Sequence, residues 1–332
     1  MKPYRNIVVI GDTMLDRITR CEKIKPLETG KGYVGRVLEK SHITPCTPGG
    51  AGNVAIGIVR LKNRGATLIC PAFPGVYSNS CVTTPLWDRL LVCTDKINSS
   101  VISKNRVFID DEEVCRIDTE YKHQHYSQAY LRNFAGRVDA IDKDTLVVVS
   151  DYNKGFIGRR IIEELLESGA TVIVDPKNPD LSIYKGVHYI TPNESEFFRL
   201  GAGNGYQPSH HTIYTADDEL ARWQQALPGT DIIVTRGSLG VAYTPSSCKR
   251  IKASIWYPSM KVKAIDTCGA GDSFLVGLAH ALSDGDRINV AIKKGIRTAG
   301  YAVTQPGTAS FTMDEVDAYY SEMEEADGED VS

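Results

Sequence analysis

Short runs of aliphatic and β-branched residues alternate along this chain with longer segments whose apolar positions recur at helical spacing. Asn6–Gly11, Thr67–Ala72, Thr145–Ser150, Thr171–Val174, His188–Ile190 and Asp231–Val234 are nearly continuous in apolar residues. That is the pattern of strands covered on both faces. Between them, Val54, Ile58 and Leu61 mark one helix, and Val82–Cys93, His123–Val138, Phe156–Glu167 and Phe274–Leu282 read as others. Strands alternating with helices predict an α/β fold: a central, mostly parallel sheet with right-handed crossovers and helices on its faces.

Two stretches depart from this rhythm. Residues 18 to 47 and 101 to 118 carry short alternating runs, broken in the first by glycine and proline and in the second by the acidic turn Asp110–Glu113. They predict a small β-sheet, drawn from roughly 17–47 and 101–118, standing off the main domain as a lid. A lid that excludes water suits chemistry in which a donor must not be hydrolysed. The main domain then spans 1–320. Asp314–Tyr320 predicts a last helix, and 321–332 an acidic tail whose end, from Glu324, is frayed and solvated.

The bulk properties narrow the function classes. A net charge of −3 gives no electrostatic footprint for nucleic acid or an anionic membrane. Apolar runs such as Leu146–Val149 are strand length, far short of a bilayer span, and the amino terminus shows no signal-peptide pattern. The eight cysteines show no Cys-x-x-Cys pair and read as reduced thiols, which together with the missing leader predicts a cytoplasmic protein. His123, His125, His210 and His211 lack a supporting ligand framework and read as exposed polar residues.

Candidate chemistry gathers just past the strands. Asp12–Arg17, Asp151–Gly155, Asp175–Lys177, Thr191–Glu196 and Thr235–Gly240 each come directly after a strand, and strand ends of an open sheet share the edge where ligands bind. Asp16 could grip sugar hydroxyls, or cap a solvated loop. Lys154 and Lys177 could neutralise phosphate, or lie idle on the surface. Asn193 and Glu196 stand one helical turn apart, which suits orienting Mg²⁺ through its waters and equally suits a helix start. Thr235–Gly240 is a glycine-containing turn, and Pro48–Asn53 puts three glycines ahead of a helix.

The organising stretch is Asp266–Phe274, preceded by a strand-like Lys261–Ile265. Gly269, Ala270 and Gly271 leave free backbone N–H groups at a helix start, an anion site. Asp272 beside it would repel phosphate. It suits a base that takes a proton from a hydroxyl while the amides hold the phosphate under attack. By itself Gly-Ala-Gly-Asp also reads as a helix N-cap. No Walker A motif is present, since Thr29–Gly32 lacks the earlier glycine, and no Gly-x-Gly-x-x-Gly opens the first helix.

The longer string Asp-Thr-x-Gly-Ala-Gly-Asp resembles the C-terminal signature of the ribokinase-like (phosphofructokinase B) sugar kinases, and Gly-Gly-x-x-Asn resembles their N-terminal one. The resemblance implies a ribokinase-like sandwich with a β lid, and an ATP-dependent phosphotransferase. It implies Asp272 as base with Gly269, Ala270 and Gly271 as anion hole, and Asp16, Gly49, Gly50 and Asn53 in the sugar pocket. It implies Asn193 and Glu196 acting on magnesium and phosphate, and Thr235, Arg236, Gly237 and Gly240 along the nucleotide. It also implies that Gly295–Thr308 closes over adenine and contributes to a monovalent cation site.

Val9–Arg17, Pro48–Ala55, Arg116–Asp118, Ser150–Gly155, Val174–Lys177 and Thr191–Phe197 look like D-glycero-D-manno-heptose 7-phosphate kinases, over about residues 6 to 312. This adds Arg116, Asp151, Lys154 and Lys177 to the substrate side and implies phosphorylation at O1. The family's Ser-Pro-Glu-Ala-Pro-Val-Pro lid segment is absent from Cys21–Lys40. Its Gly-x-Asp is replaced by Pro74–Ser80, and Asn178 stands where it has glycine. The chain stops where bifunctional members continue into a nucleotidyltransferase domain, which implies a kinase alone. Lid strands pairing between two subunits would make a homodimer. The rival readings are a kinase of ribose, fructose phosphate or a nucleoside, and a non-catalytic sugar or nucleotide sensor on the same fold.

Overall fold

The computed structural model describes residues 2–26, 33–37, 47–62, 65–70, 89–93, 102–109, 112–120, 141–201, 213–248, 250, 254–307 and 310–329. Along the chain the strands are β1 (Asn6–Gly11), β2 (Thr13–Pro26), β3 (Tyr33–Val37), β4 (Thr47–Gly50), β5 (Ala66–Ile69), β6 (Leu90–Cys93), β7 (Ser103–Ile109) and β8 (Glu112–Thr119). They continue with β9 (Thr145–Ser150), β10 (Thr171–Asp175), β11 (Tyr189–Ile190), β12 (Asp231–Thr235), β13 (Val241–Thr244) and β14 (Ile255–Tyr257). The helices are α1 (Ala51–Lys62), α2 (Arg159–Glu167), α3 (Glu194–Gly201), α4 (Ile213–Ala226), α5 (Ala270–Ser283), α6 (Ile288–Ala302) and α7 (Met313–Glu329).

The large sheet runs β14-β13-β12-β11-β10-β9-β1-β5-β6 among the described residues. It is parallel from β6 to β12, and β13 and β14 close the far edge antiparallel. The continuous apolar runs are explained by burial on both faces. Ile7, Val9, Leu146, Val148 and Ile173 point into one core, against α1, α5, α6 and α7. Val8, Ile10, Val147, Val149 and Val174 point into the other, against α2, α3 and α4. The α/β reading therefore holds.

The small sheet orders β3-β2-β7-β8, with β4 also on β2. The two stretches singled out for their alternation do meet, with β2 and β7 parallel and the other pairs antiparallel. Its outer strand β8 is exposed throughout.

Four local readings change. Thr13–Arg17 is the beginning of the 14-residue strand β2 rather than a loop, so the lid starts directly at the sheet edge. Leu90–Cys93 is a strand paired to β5, not the end of a helix: four apolar residues in a row fit a covered strand as well as a helix turn. Lys261–Ile265 is irregular, its β-like sequence facing solvent with Ile265 68% exposed. The last helix continues through the acidic segment to Glu329. The helix expected at His123–Val138, residues 82–88, and the four histidines noted above lie outside the described residues. No helix among the described residues is long and apolar enough to cross a membrane.

Candidate active site

Parallel pairing aligns the carboxyl ends of three central strands, with Gly11 opposite Ser150 and Ser150 opposite Asp175. The segments leaving those strand ends must therefore gather on one edge. There a cleft of about 290 Å³ opens between the large sheet, the lid and the start of α5.

The floor is the turn into α5. Gly269 takes a left-handed φ of 75°, which glycine adopts without strain, and starts the helix. Thr267–Asp272 all line the cleft. Asp272 receives two donors: Asn53 Nδ2 at 2.8 Å on Oδ2 and the Tyr152 hydroxyl at 3.2 Å on Oδ1. Asn53 reaches it because α1 packs tightly on α5. A Cβ at Gly57 would sit 2.7 Å from Val276 Cγ2, so a larger residue there would force Val276 or the helix to shift. Burial pushes the Asp272 carboxyl above the ordinary range, against the pull of Asn53, Lys177, Tyr152 and Lys104.

One wall carries paired charges. Lys177 Nζ lies 3.1 Å from Asp175 Oδ2 and 2.9 Å from Glu196 Oε1. Burial alone would depress this lysine, but the two carboxylates outweigh it and hold it above the usual lysine range. Burial pushes Asp175 up to about 7, with Lys177 opposing. Asn193 and Glu196 form a reciprocal helix-start box: Glu196 Oε2 accepts from the Asn193 amide at 2.9 Å, and Asn193 Oδ1 from the Glu196 amide at 2.8 Å. Both line the cleft, so helix capping and a cleft role coexist in the same residues.

The opposite wall is the lid. Asp16 on β2 stands in register with Lys104 on β7, and Lys104 and Arg106 share the face that lines the cleft. Burial raises the Asp16 carboxyl, opposed first by Lys104 and Arg106. A Cβ at Gly49 would fall 2.6 Å from Asp16 Oδ2, so this glycine makes room for the carboxylate. Arg106 also donates to Cys268 Sγ at 3.3 Å, joining the lid to the floor.

Several expected site residues stand outside this cleft. Asp151 is buried and turned away, accepting from the Tyr184 hydroxyl and the Asn153 amide. Arg116 lies opposite Arg106 one strand farther out, exposed and paired with Asp118. Lys154 pairs with Glu120 at 2.8 Å. Thr235 lines the cleft, whereas Arg236 bonds Glu194 at 2.7 Å and lies over the Trp256 ring, and Gly237–Leu239 form a short turn beside it.

Residues the sequence reading did not single out are Tyr152, Asp175, Lys104 and Arg106. For the lid pair a signal existed, since cations two apart on a strand share a face. For Tyr152 none did, because the turn after β9 decides which neighbour faces the cleft.

Asp12 illustrates that turn. Its Oδ2 accepts the amides of Tyr152 and Lys154 at 2.9 and 3.1 Å. Burial, then Asp151, pushes its carboxyl up to about 7 from an ordinary 3.8. Folding thus takes up a proton, and this contribution to stability is present below about pH 4 and lost as pH rises toward 7. Asp12→Asn, whose amide oxygen can accept the same two bonds, is expected to flatten the fall in melting temperature between pH 5 and 7. An unchanged pH slope would show that Asp12 ionises normally.

Among the described residues no group of three His, Cys, Asp or Glu side chains could by itself hold a metal ion. Asp175, Asn193 and Glu196 nonetheless line the cleft, their oxygens already accepting from Lys177 and from the helix-start amides. Such a set fits Mg²⁺, which keeps several waters and takes its remaining oxygens from phosphates.

A family model described as pfkB family carbohydrate kinase matches residues 104–315. The chain is similar to the bifunctional protein HldE of Aliarcobacter butzleri (strain RM4018), 26% identical over 328 residues, covering 96% of this chain and 65% of that protein. It is 28% identical to the HldE of a Nitratiruptor species, over 99% of this chain and 68% of that one. The chain thus spans about two thirds of the length of these relatives. Among solved structures it resembles phosphofructokinase-2 from Escherichia coli in complex with potassium, with a TM-score of 0.72, 20% identity, and coverage of 97% of this chain and 99% of that one. It also resembles ribokinase from Thermotoga maritima, with a TM-score of 0.66, 20% identity, and coverage of 95% and 99%. These likenesses establish the fold.

Proposed function

This chain belongs to the pfkB family of carbohydrate kinases, and from that membership we propose that it transfers the γ-phosphoryl group of ATP to O1 of D-glycero-D-manno-heptose 7-phosphate. The observation that carries the phosphorylated acceptor is the pair of lid cations, Lys104 and Arg106, beside Asp16. Lys177 on the other wall is already matched by Asp175 and Glu196, and of the lid pair Arg106 is partly matched by Glu113 at 3.6 Å. A neutral sugar needs hydroxyl-binding groups such as Asp16 and gains nothing from two further cations; an acceptor with its own phosphate does. Heptose rather than another sugar phosphate rests on the motif likeness over residues 6 to 312 and on the HldE relatives.

In this reading Asp16 and the lid cations orient the acceptor. The amides of Gly269, Ala270 and Gly271 hold the transferring phosphoryl group, and Asp272 takes the proton of the attacking hydroxyl. Asp175, Asn193 and Glu196 would hold Mg²⁺, which supplies charge neutralisation on the phosphates. The lid covers the site from water. The proposal includes a homodimer joined along β8, where Val114 and Ile117 are 49% and 55% exposed. A mass of 36.5 kDa by light scattering would exclude it. It also includes a cytoplasmic location, consistent with the reduced thiols of Cys21, Cys115, Cys248 and Cys268 among the described residues.

ADP release from ATP and Mg²⁺ is expected with heptose 7-phosphate, and not at comparable efficiency with ribose, fructose 6-phosphate or adenosine. Turnover with another of these instead would reassign the acceptor and leave the family and Asp272 in place.

A further inference from the structure

Tyr152 comes after β9, directly beyond Asp151, yet the two part company: Asp151 is buried away from the cleft, and Tyr152 lines it. The Tyr152 hydroxyl donates to Asp272 Oδ1 at 3.2 Å while Asn53 holds Oδ2 at 2.8 Å. One donor comes from the turn after β9 and the other from α1, so the carboxylate is gripped from two elements. Each oxygen keeps a further lone pair for an incoming hydroxyl. The phenol remains a donor throughout, because burial and then the Asp272 carboxylate push it well above its ordinary value. Lys177 Nζ lies 4.8 Å and Lys104 Nζ 5.6 Å from the centre of the Tyr152 ring. The ring therefore touches the charged wall and the lid at once.

We propose that Tyr152 is a positioning residue for phosphoryl transfer: its hydroxyl fixes the Asp272 carboxylate toward the acceptor hydroxyl, and its ring ties that orientation to Lys177 and to Lys104 of the lid. The proton leaves the acceptor hydroxyl for Asp272, the acceptor oxygen bonds the γ-phosphorus as ADP leaves, and Tyr152 keeps its own proton. This inference rests on Asp272 being the base.

Tyr152→Phe removes only the hydroxyl and retains the ring with its two cation contacts. Its kcat is expected to fall about 10-fold, the rate equivalent of one hydrogen bond to a charged group, with ATP affinity unchanged. The hydrogen bond favours the ionised carboxylate, so its loss should move the acid limb of kcat to higher pH. The other charges facing Asp272, namely Lys177, Lys104, Asp16 and Asp175, are the same in both proteins. In an Asp272→Asn background the tyrosine change should add nothing.

A second readout needs no acceptor. Tyr152→Phe should lower the melting temperature more at a pH above the Asp272 titration, where the carboxylate is ionised, than at a pH below it. An unmoved acid limb with the same fractional loss in both backgrounds, or an equal thermal loss at both pH values, would reduce Tyr152 to packing and overturn the proposal. Normal turnover by Asp272→Asn would instead remove the base itself. Silence of the wild type toward heptose 7-phosphate would touch only the choice of acceptor, and the comparison then runs on whichever acceptor is used and on the unfolding series.

Discussion

Asp272→Asn is expected to bind ATP like the wild type and to turn over on the order of 10²-fold more slowly, or worse, the loss expected on removal of a general base. The substitution conserves shape and keeps an oxygen that can accept from Asn53 or Tyr152. The amides of Gly269, Ala270 and Gly271 are backbone groups and survive it. Binding and chemistry should therefore separate: calorimetric titration with ATP unchanged, ADP release in a coupled assay nearly abolished. An asparagine variant with normal turnover would leave the anion turn as a phosphate site and force the base elsewhere, with Asp16 the next carboxylate in the cleft.

The fold was legible because its signal is periodic. Parallel strands buried on both faces cannot hide among polar residues, and Val147, Val148 and Val149 alternate between two cores as continuous apolar runs require. The turn at Gly269–Gly271 reads as an anion site through the longer string Asp266–Asp272 and its family resemblance, since Gly-Ala-Gly-Asp by itself also suits a helix N-cap. The same resemblance implies Asp16, Gly49, Gly50 and Asn53 for a sugar pocket, and the structure adds what two of them do within the protein. Gly49 yields space to Asp16, and Asn53 reaches the proposed base.

Loop-borne residues resisted because no period constrains a turn. Asp151 and Tyr152 are adjacent, and the hydrogen bonds of Asp12 and Asn153 decide which one meets the cleft. Arg116 lies outside the cleft for a related reason. It shares the correct face of the lid, but strand order, which sequence spacing does not encode, puts it one strand too far out.

Lys177→Met should damage the protein more broadly than Asp272→Asn. The lysine is the cation between Asp175 and Glu196, and the three side chains are 26%, 16% and 10% exposed. Methionine fills the same volume and leaves two carboxylates facing each other. Orphaning buried charges in this way costs about 3 kcal/mol, whereas removing a whole ion pair in favour of neutral groups is often nearly free. The double variant Asp175→Asn with Lys177→Met should therefore recover a substantial part of the stability that the single variant loses, as read by urea unfolding. ADP release should stay low in both, because the wall that faces the phosphates has lost its cation either way and the double variant has also lost a carboxylate proposed to hold Mg²⁺. Additive losses in the double variant would mean that Lys177 and Asp175 act independently, and the charged wall would then be a surface pair of little consequence. Recovery of stability without recovery of turnover would separate what the Lys177–Asp175 pair does for the fold from what the charged wall does for turnover.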